Sequence, residues 1–155
     1  MHYEFRPFNI NTDAELIREF LLDTQKLTGT IPDNAAEDGA AYVSAIVAAQ
    51  ERDPGSCAVL QENGVVVGFV DIQISKKNSG AGFIRFDYIV PHRRRKGLGR
   101  KLIDYALAHA KNAGCDRVYL DVAPSNHSAI AFYEKHDWQF TGESNGSLRR
   151  MDKAL

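Results

Sequence analysis

Hydrophobic positions change period along this chain, and the changes divide it into elements. Tyr3-Glu4-Phe5-Arg6-Pro7-Phe8 alternates apolar and polar residues as a short strand does, ending near its proline. Leu16, Ile17, Phe20 and Leu21 then recur at three- and four-residue spacing behind the capping oxygens of Asn11-Thr12-Asp13, which predicts a helix to about Lys26. Thr28-Gly29-Thr30-Ile31-Pro32-Asp33-Asn34 carries turn chemistry and is expected to form a mobile loop. A second helix is predicted from about Ala36 to Arg52, with Ala40, Val43, Ile46 or Val47 and Gln50 marking its turns and Asp53-Pro54-Gly55 stopping it.

From Ser56 the period becomes two. Cys57 to Gln61 and Val65 to Ile74 flank Asn63-Gly64, a strong hairpin signal. A polar loop from Lys76 to Gly82 leads to a third strand, Phe83 to Val90. Strict alternation would put Ile84, Phe86, Tyr88 and Val90 on one face and Arg85, Asp87 and Ile89 on the other. Leu98, Leu102, Ala106, Leu107 and Ala110 mark a helix closed near Gly114, and Val118, Leu120 and Val122 mark the next strand. Ser125-Asn126 opens a helix to about Lys135. Two closing strands, Trp138 to Thr141 and Ser147 to Met151, are expected around a turn at Glu143 to Gly146. The order βααβββαβαββ predicts an α/β (α+β) three-layer domain, a mixed and mostly antiparallel sheet of about seven strands with helices on both faces.

Composition narrows the class. The 155 residues, 44% hydrophobic and 25% charged, suit one domain spanning 1–155 that builds its core without metal or disulfide staples. No apolar run approaches a membrane span and the N-terminal residues lack a signal peptide's pattern, so a cytoplasmic protein without a membrane partner is expected. Cys57 and Cys115 lack metal or redox spacing and read as reduced, buried thiols. Net charge is −1, yet residues 91–101 hold six Arg or Lys and no acid, while residues 1–53 carry ten acids against four bases. So compact a basic spot suits a multiply phosphorylated small molecule better than a nucleic-acid track.

That spot lies where a strand end meets a helix start, a junction whose free N–H groups and helix dipole bind anions. A P-loop would need Gly-Lys-Ser/Thr, which is missing, and a dinucleotide loop would need a small residue where Leu102 stands. Arg94-Arg95-Lys96-Gly97-Leu98-Gly99 instead presents Arg, two variable residues, Gly, one variable residue, Gly. Pro91 precedes it by three, and Asn126-His127-Ser128-Ala129-Ile130-Ala131-Phe132-Tyr133-Glu134-Lys135 follows downstream. These motifs, with the 62–69 hairpin, resemble the acetyl-CoA site of the GNAT superfamily of N-acetyltransferases over residues 56–142; residues 1–55 match only in element order.

The resemblance implies a GNAT-like fold and acetyl-CoA as acyl donor. The CoA diphosphate would lie on the amides of Arg95 to Arg100, with Arg93, Arg94 and Lys96 as cationic contacts. The pantetheine arm would pair with backbone of Ile89, Val90 and Pro91, and the Ile89 N–H would polarise the thioester carbonyl. Asn126 would contact the pantetheine and Tyr133 would protonate the departing thiolate; read without the family, they are a helix cap and a core aromatic. No covalent enzyme intermediate is expected, so the primary amine attacks directly in a ternary complex.

Such an amine must lose a proton, and Asp87 is the first candidate base, then Asp121; an Arg85–Asp87 ion pair is the structural alternative for Asp87. His92 and His127 read as surface residues, and no metal constellation exists. Where the family usually has Gly-Phe, Asp137-Trp138 stands, which leaves the helix cap feasible and reshapes the pocket nearby. Asp33, Glu37 and Asp38 form either an acidic rim that recruits a cationic amine or a solvated helix start. The acceptor's identity stays open, as does monomer against homodimer. The competing class is a catalytically idle acyl-CoA-binding sensory module, which would not need Tyr133.

Overall fold

The computed structural model describes residues 2–28, 39–75 and 80–155. Seven strands form one sheet: β1 (Tyr3–Pro7), β2 (Cys57–Glu62), β3 (Val65–Ile74), β4 (Ala81–Ile89), β5 (Arg117–Val122), β6 (Gln139–Asn145) and β7 (Leu148–Ala154). Four helices accompany them, α1 (Ile10–Thr28), α2 (Ala40–Arg52), α3 (Leu98–Asn112) and α4 (His127–Lys135), with a 3-10 turn at Pro91–Arg93. The sheet order is β1-β2-β3-β4-β5-β7-β6, antiparallel except for the parallel pair β4–β5 that α3 connects. The three-layer α/β architecture with a mixed, mostly antiparallel sheet expected from the element order is therefore present.

Both sheet faces are covered, which is why β2 and β3 read as near-continuous apolar runs. Ile17, Phe20 and Leu21 of α1 and Tyr42 and Ile46 of α2 pack on Cys57, Val59 and Phe69. Leu102, Ile103 and Ala106 of α3 pack on the opposite face against Leu60, Val70 and Ile72. Cys57 and Cys115 are buried free thiols held above their usual pKa by burial. The hairpin forms at Asn63-Gly64, both with positive φ (50° and 84°), as a tight turn between twisted strands requires. Among the described residues, no helix is long and apolar enough to cross a membrane.

Several boundaries differ from the sequence reading. Helix α1 starts earlier, because Asn9 caps it through its side chain to the Asn11 N–H. Asp13, 1% exposed, turns inward to accept from the Asn9 N–H and from Arg6 at 2.7 and 2.9 Å, so it ties β1 to α1. Strand β6 runs through Glu143–Asn145, and the hairpin turn falls at Gly146 and Ser147. The loop expected from Thr28 to Asn34 and the start of the second helix near Ala36 lie outside the described residues, apart from Thr28, which ends α1.

The largest departure is in β4. Phe86 pairs with Asp71 while Ile84 pairs with Ile72, so Arg85 is an extra residue, a β-bulge. Ile84 therefore packs in the α3 core, whereas Phe86 and Tyr88 pack in the α1/α2 core. Arg85 does not share a face with Asp87; it donates to the buried Asp71 at 2.6 Å beneath Tyr42. Past the bulge Asp87 emerges on the α4 side. The pairing of β4 with β5 also ends at Ile84 and Leu120, leaving a gap between the two strand ends.

Candidate active site

The gap is lined by Asp87 and Ile84 from β4, Leu120 and Asp121 from β5, and Asn126 and Tyr133 of α4 and its cap, around a cavity of about 130 Å³. Helix α4 opens at Asn126, whose side-chain oxygen accepts from the Ala129 N–H at 3.3 Å. It ends in a turn where Trp138 N–H reaches the Tyr133 carbonyl at 3.0 Å and Asp137 takes φ 70°, the conformation a helix-ending glycine would supply. Trp138 then packs on the Tyr133 ring, centroids 5.7 Å apart.

Two candidates meet inside the gap. The Tyr133 hydroxyl lies 3.4 and 3.3 Å from the two Asp87 carboxylate oxygens and donates to them, while the tyrosine is only 7% exposed. No cation pairs with Asp87 among the described residues, so burial pushes its carboxyl up to about 6, partly offset by the Tyr133 hydrogen bond. Burial, then the Asp87 charge, raises the Tyr133 phenol well above its ordinary value. Asp121, the second candidate, is instead clamped by Arg150, Nε to Oδ1 at 2.9 Å and Nη2 to Oδ2 at 3.2 Å.

The basic loop divides into engaged and free residues. Arg93 donates to Glu62 at 2.5 Å and Arg94 to Asp23 at 2.8 Å, so neither stands free as the sequence reading expected. Arg95 and Lys96 are exposed, with no hydrogen bond or ion pair among the described residues, and exposed Arg100 lies 3.8 Å from Asp104. Gly97 caps α3 in the left-handed conformation, φ 80°, and no side chain caps the amides of Leu98, Gly99 and Arg100. Nothing lies within 4 Å of where a Cβ on Gly97 or Gly99 would stand, so the amides are approachable.

The backbone of β4 is also partly committed. The Val90 N–H bonds the Val67 carbonyl at 2.9 Å, and Pro91 begins the 3-10 turn, so of the three residues expected to line the donor only Ile89 turns its N–H toward the gap. His92 and His127 are exposed. Asp33, Glu37 and Asp38 lie outside the described residues. Among the described residues no three metal-ligating side chains gather.

Comparison with known proteins decides the family. Residues 17–138 match the family model described as acetyltransferase (GNAT) family. The chain belongs to the GNAT acetyltransferase family. The PaiA N-acetyltransferase of Thermoplasma acidophilum, solved in complex with coenzyme A, superposes with TM-score 0.80 at 21% identity over 100% of both chains. Ard1 of Thermoplasma volcanium gives TM-score 0.75 at 22% identity, covering 99% of this chain and 97% of its own. YncA of Salmonella typhimurium, solved with acetyl-CoA, gives 0.74 at 18% identity, covering 100% of this chain and 95% of its own. No protein of curated function matches the sequence.

Within this GNAT domain the sequence reading missed Asp23, Glu62 and Arg150, the partners that set which charges stay free. Asp23 lies three residues past Phe20, at the rim of the apolar stripe of α1, which was the one available signal.

Proposed function

We propose that the chain transfers the acetyl group of acetyl-CoA to a primary amine by direct attack in a ternary complex. The observation that carries this reading is the Tyr133 hydroxyl against the Asp87 carboxylate inside the gap between β4 and β5. The donor site suits the cofactor: uncapped α3 amides behind Gly97, free cations at Arg95 and Lys96, and the Ile89 N–H on a strand edge that β5 does not pair. Leu98, Gly99 and Arg100 would hold the diphosphate through their N–H groups, and Asn126 would contact the pantetheine arm. Bound acetyl-CoA supplies an activated thioester and a thiolate leaving group.

The chain's own groups then move one proton in a closed path. A primary ammonium has a pKa near ~10, so on the order of one molecule in a thousand is free amine at neutral pH, and its first proton goes to solvent. Asp87, with its carboxyl pushed up to about 6, is ionised at neutral pH and close enough to its midpoint to accept the second proton from the attacking nitrogen. Tyr133 gives its phenolic proton to sulfur, and Asp87 returns the proton it took to the Tyr133 oxygen across 3.3 Å. The Ile89 N–H donates to the acyl oxygen throughout.

An ionised Asp87 and the acid-rich first 53 residues favour a cationic acceptor. The test is acetyl-CoA consumption with chromatographic and mass detection of products, against polyamines, aminoglycosides, amino acids, peptide N-termini and protein lysines, with Tyr133→Phe as control. Tyrosine-dependent acetylation of one class supports the reading. CoA binding with no product from any class would overturn it in favour of an acyl-CoA-binding module.

A further inference from the structure

Arg94 occupies the first position of the loop motif, where a free cation would reach a phosphate, yet its nitrogens are turned the other way. Its Nε donates to the Ile89 carbonyl at 2.9 Å and its Nη2 to Asp23 Oδ2 at 2.8 Å, with the guanidinium 5.2 Å from the centre of the Tyr88 ring. The Tyr88 hydroxyl donates to the same Asp23 oxygen at 2.5 Å, and Phe20, one turn back on α1, stacks on Tyr88 at 4.4 Å. Tyr88, then Arg94, holds the Asp23 carboxyl below its usual range, as an anion shared by two donors should be.

These contacts converge on one peptide. The unit joining Ile89 to Val90 is held at both ends, its carbonyl by Arg94 and its N–H by the Val67 carbonyl at 2.9 Å. Fixing that plane at the last residue of β4 limits rotation of Ile89, whose own N–H faces the gap. Residues on both sides of Ile89, Tyr88 and Arg94, are fastened to one oxygen of α1. Arg95 and Lys96, exposed and unengaged, are left to meet phosphate.

Resting on the donor-site reading above, we propose that Asp23 is a positioning residue of that site, acting through Arg94 as a brace on the Ile89–Val90 peptide rather than as a phosphate contact. The two roles separate by ligand. A brace on the strand edge serves the pantetheine arm, whereas a phosphate contact serves the nucleotide end.

Calorimetric titration with CoA and with adenosine 3′,5′-bisphosphate, which lacks the pantetheine arm, reads the difference. Asp23→Ala and Arg94→Ala should each weaken CoA roughly tenfold and leave the bisphosphate within about twofold, as expected for losing a charge-assisted contact on one side only. Retained bisphosphate binding also shows that each variant is folded. Arg94→Gln, which keeps an N–H donor at the same bond count from the backbone but lacks the nitrogen that bonds Asp23, should weaken CoA about as much as Asp23→Ala and leave the bisphosphate within about twofold. Equal weakening of both ligands by Arg94→Ala, with a shallower salt dependence, would make Arg94 a phosphate contact and overturn the proposal. So would unchanged CoA affinity in Asp23→Ala. If the unaltered chain binds neither ligand, the donor-site reading fails first and the brace falls with it.

Discussion

Asp87 and Asp121 stand on neighbouring strands, line the same gap and have the same chemistry, yet only one is left without a cationic partner among the described residues. Asp121 is met by the two forks of Arg150 from β7, and its charge is neutralised where it sits. Asp87 is met by a neutral hydroxyl, and burial without a counter-charge moves its carboxyl to about 6. A carboxylate's use in proton transfer therefore depends less on its place in a cleft than on whether a cation already holds it.

The sharpest way to break this contrast is to neutralise each acid in turn. Asp87→Asn should lower turnover on the acceptor by about 10² to 10⁴, while Asp121→Asn should leave it within about threefold, both read from initial rates. A comparable loss in the two variants would end the distinction. Tyr133→Phe should cost about 10- to 100-fold in kcat and leave the CoA dissociation constant within about twofold, since only the proton donor is removed.

The pH dependence of kcat/KM adds a finer test. With unmodified protein the rate should rise with pH through about 6 as Asp87 ionises, and that limb should vanish in Asp87→Asn. The same group predicts stability with the opposite sign. Its folded-state pKa lies above the unfolded one, so the folded chain binds more protons in between, and thermal stability should fall as pH rises from about 4 to 6. Asp87→Asn should flatten that slope in a melting series. The smallest effect is expected at the other acid: Arg150→Met strands Asp121 without its cation and should cost about 1–2 kcal/mol, because the arginine is itself 30% exposed. A few degrees in Tm with turnover preserved would confirm Asp121 as structural.

The contrast was only half legible in the sequence. The Arg94-Arg95-Lys96-Gly97-Leu98-Gly99 loop and the Asn126 to Lys135 segment sit where a strand end and two helix starts were expected, because caps, glycines and apolar periods are local signals. Tyr133 and Asp87 were both named, but as separate actors, and alternation in β4 put Asp87 on the face of Arg85. One bulged residue reverses that pattern, and nothing in an alternating run of apolar and polar residues reports a two-against-one pairing with another strand.

Element order, the two apolar faces and the glycine-containing loop that opens α3 were determined by the sequence alone, since each follows from residues within a few positions of one another. The tertiary structure alone decided which charges are spent. Asp23 with Arg94, Glu62 with Arg93, Asp71 with Arg85 and Arg150 with Asp121 pair across 71, 31, 14 and 29 residues of chain. Such pairs depend on packing between distant segments, and what they leave unpaired, Asp87 beside Tyr133, is set by the same packing.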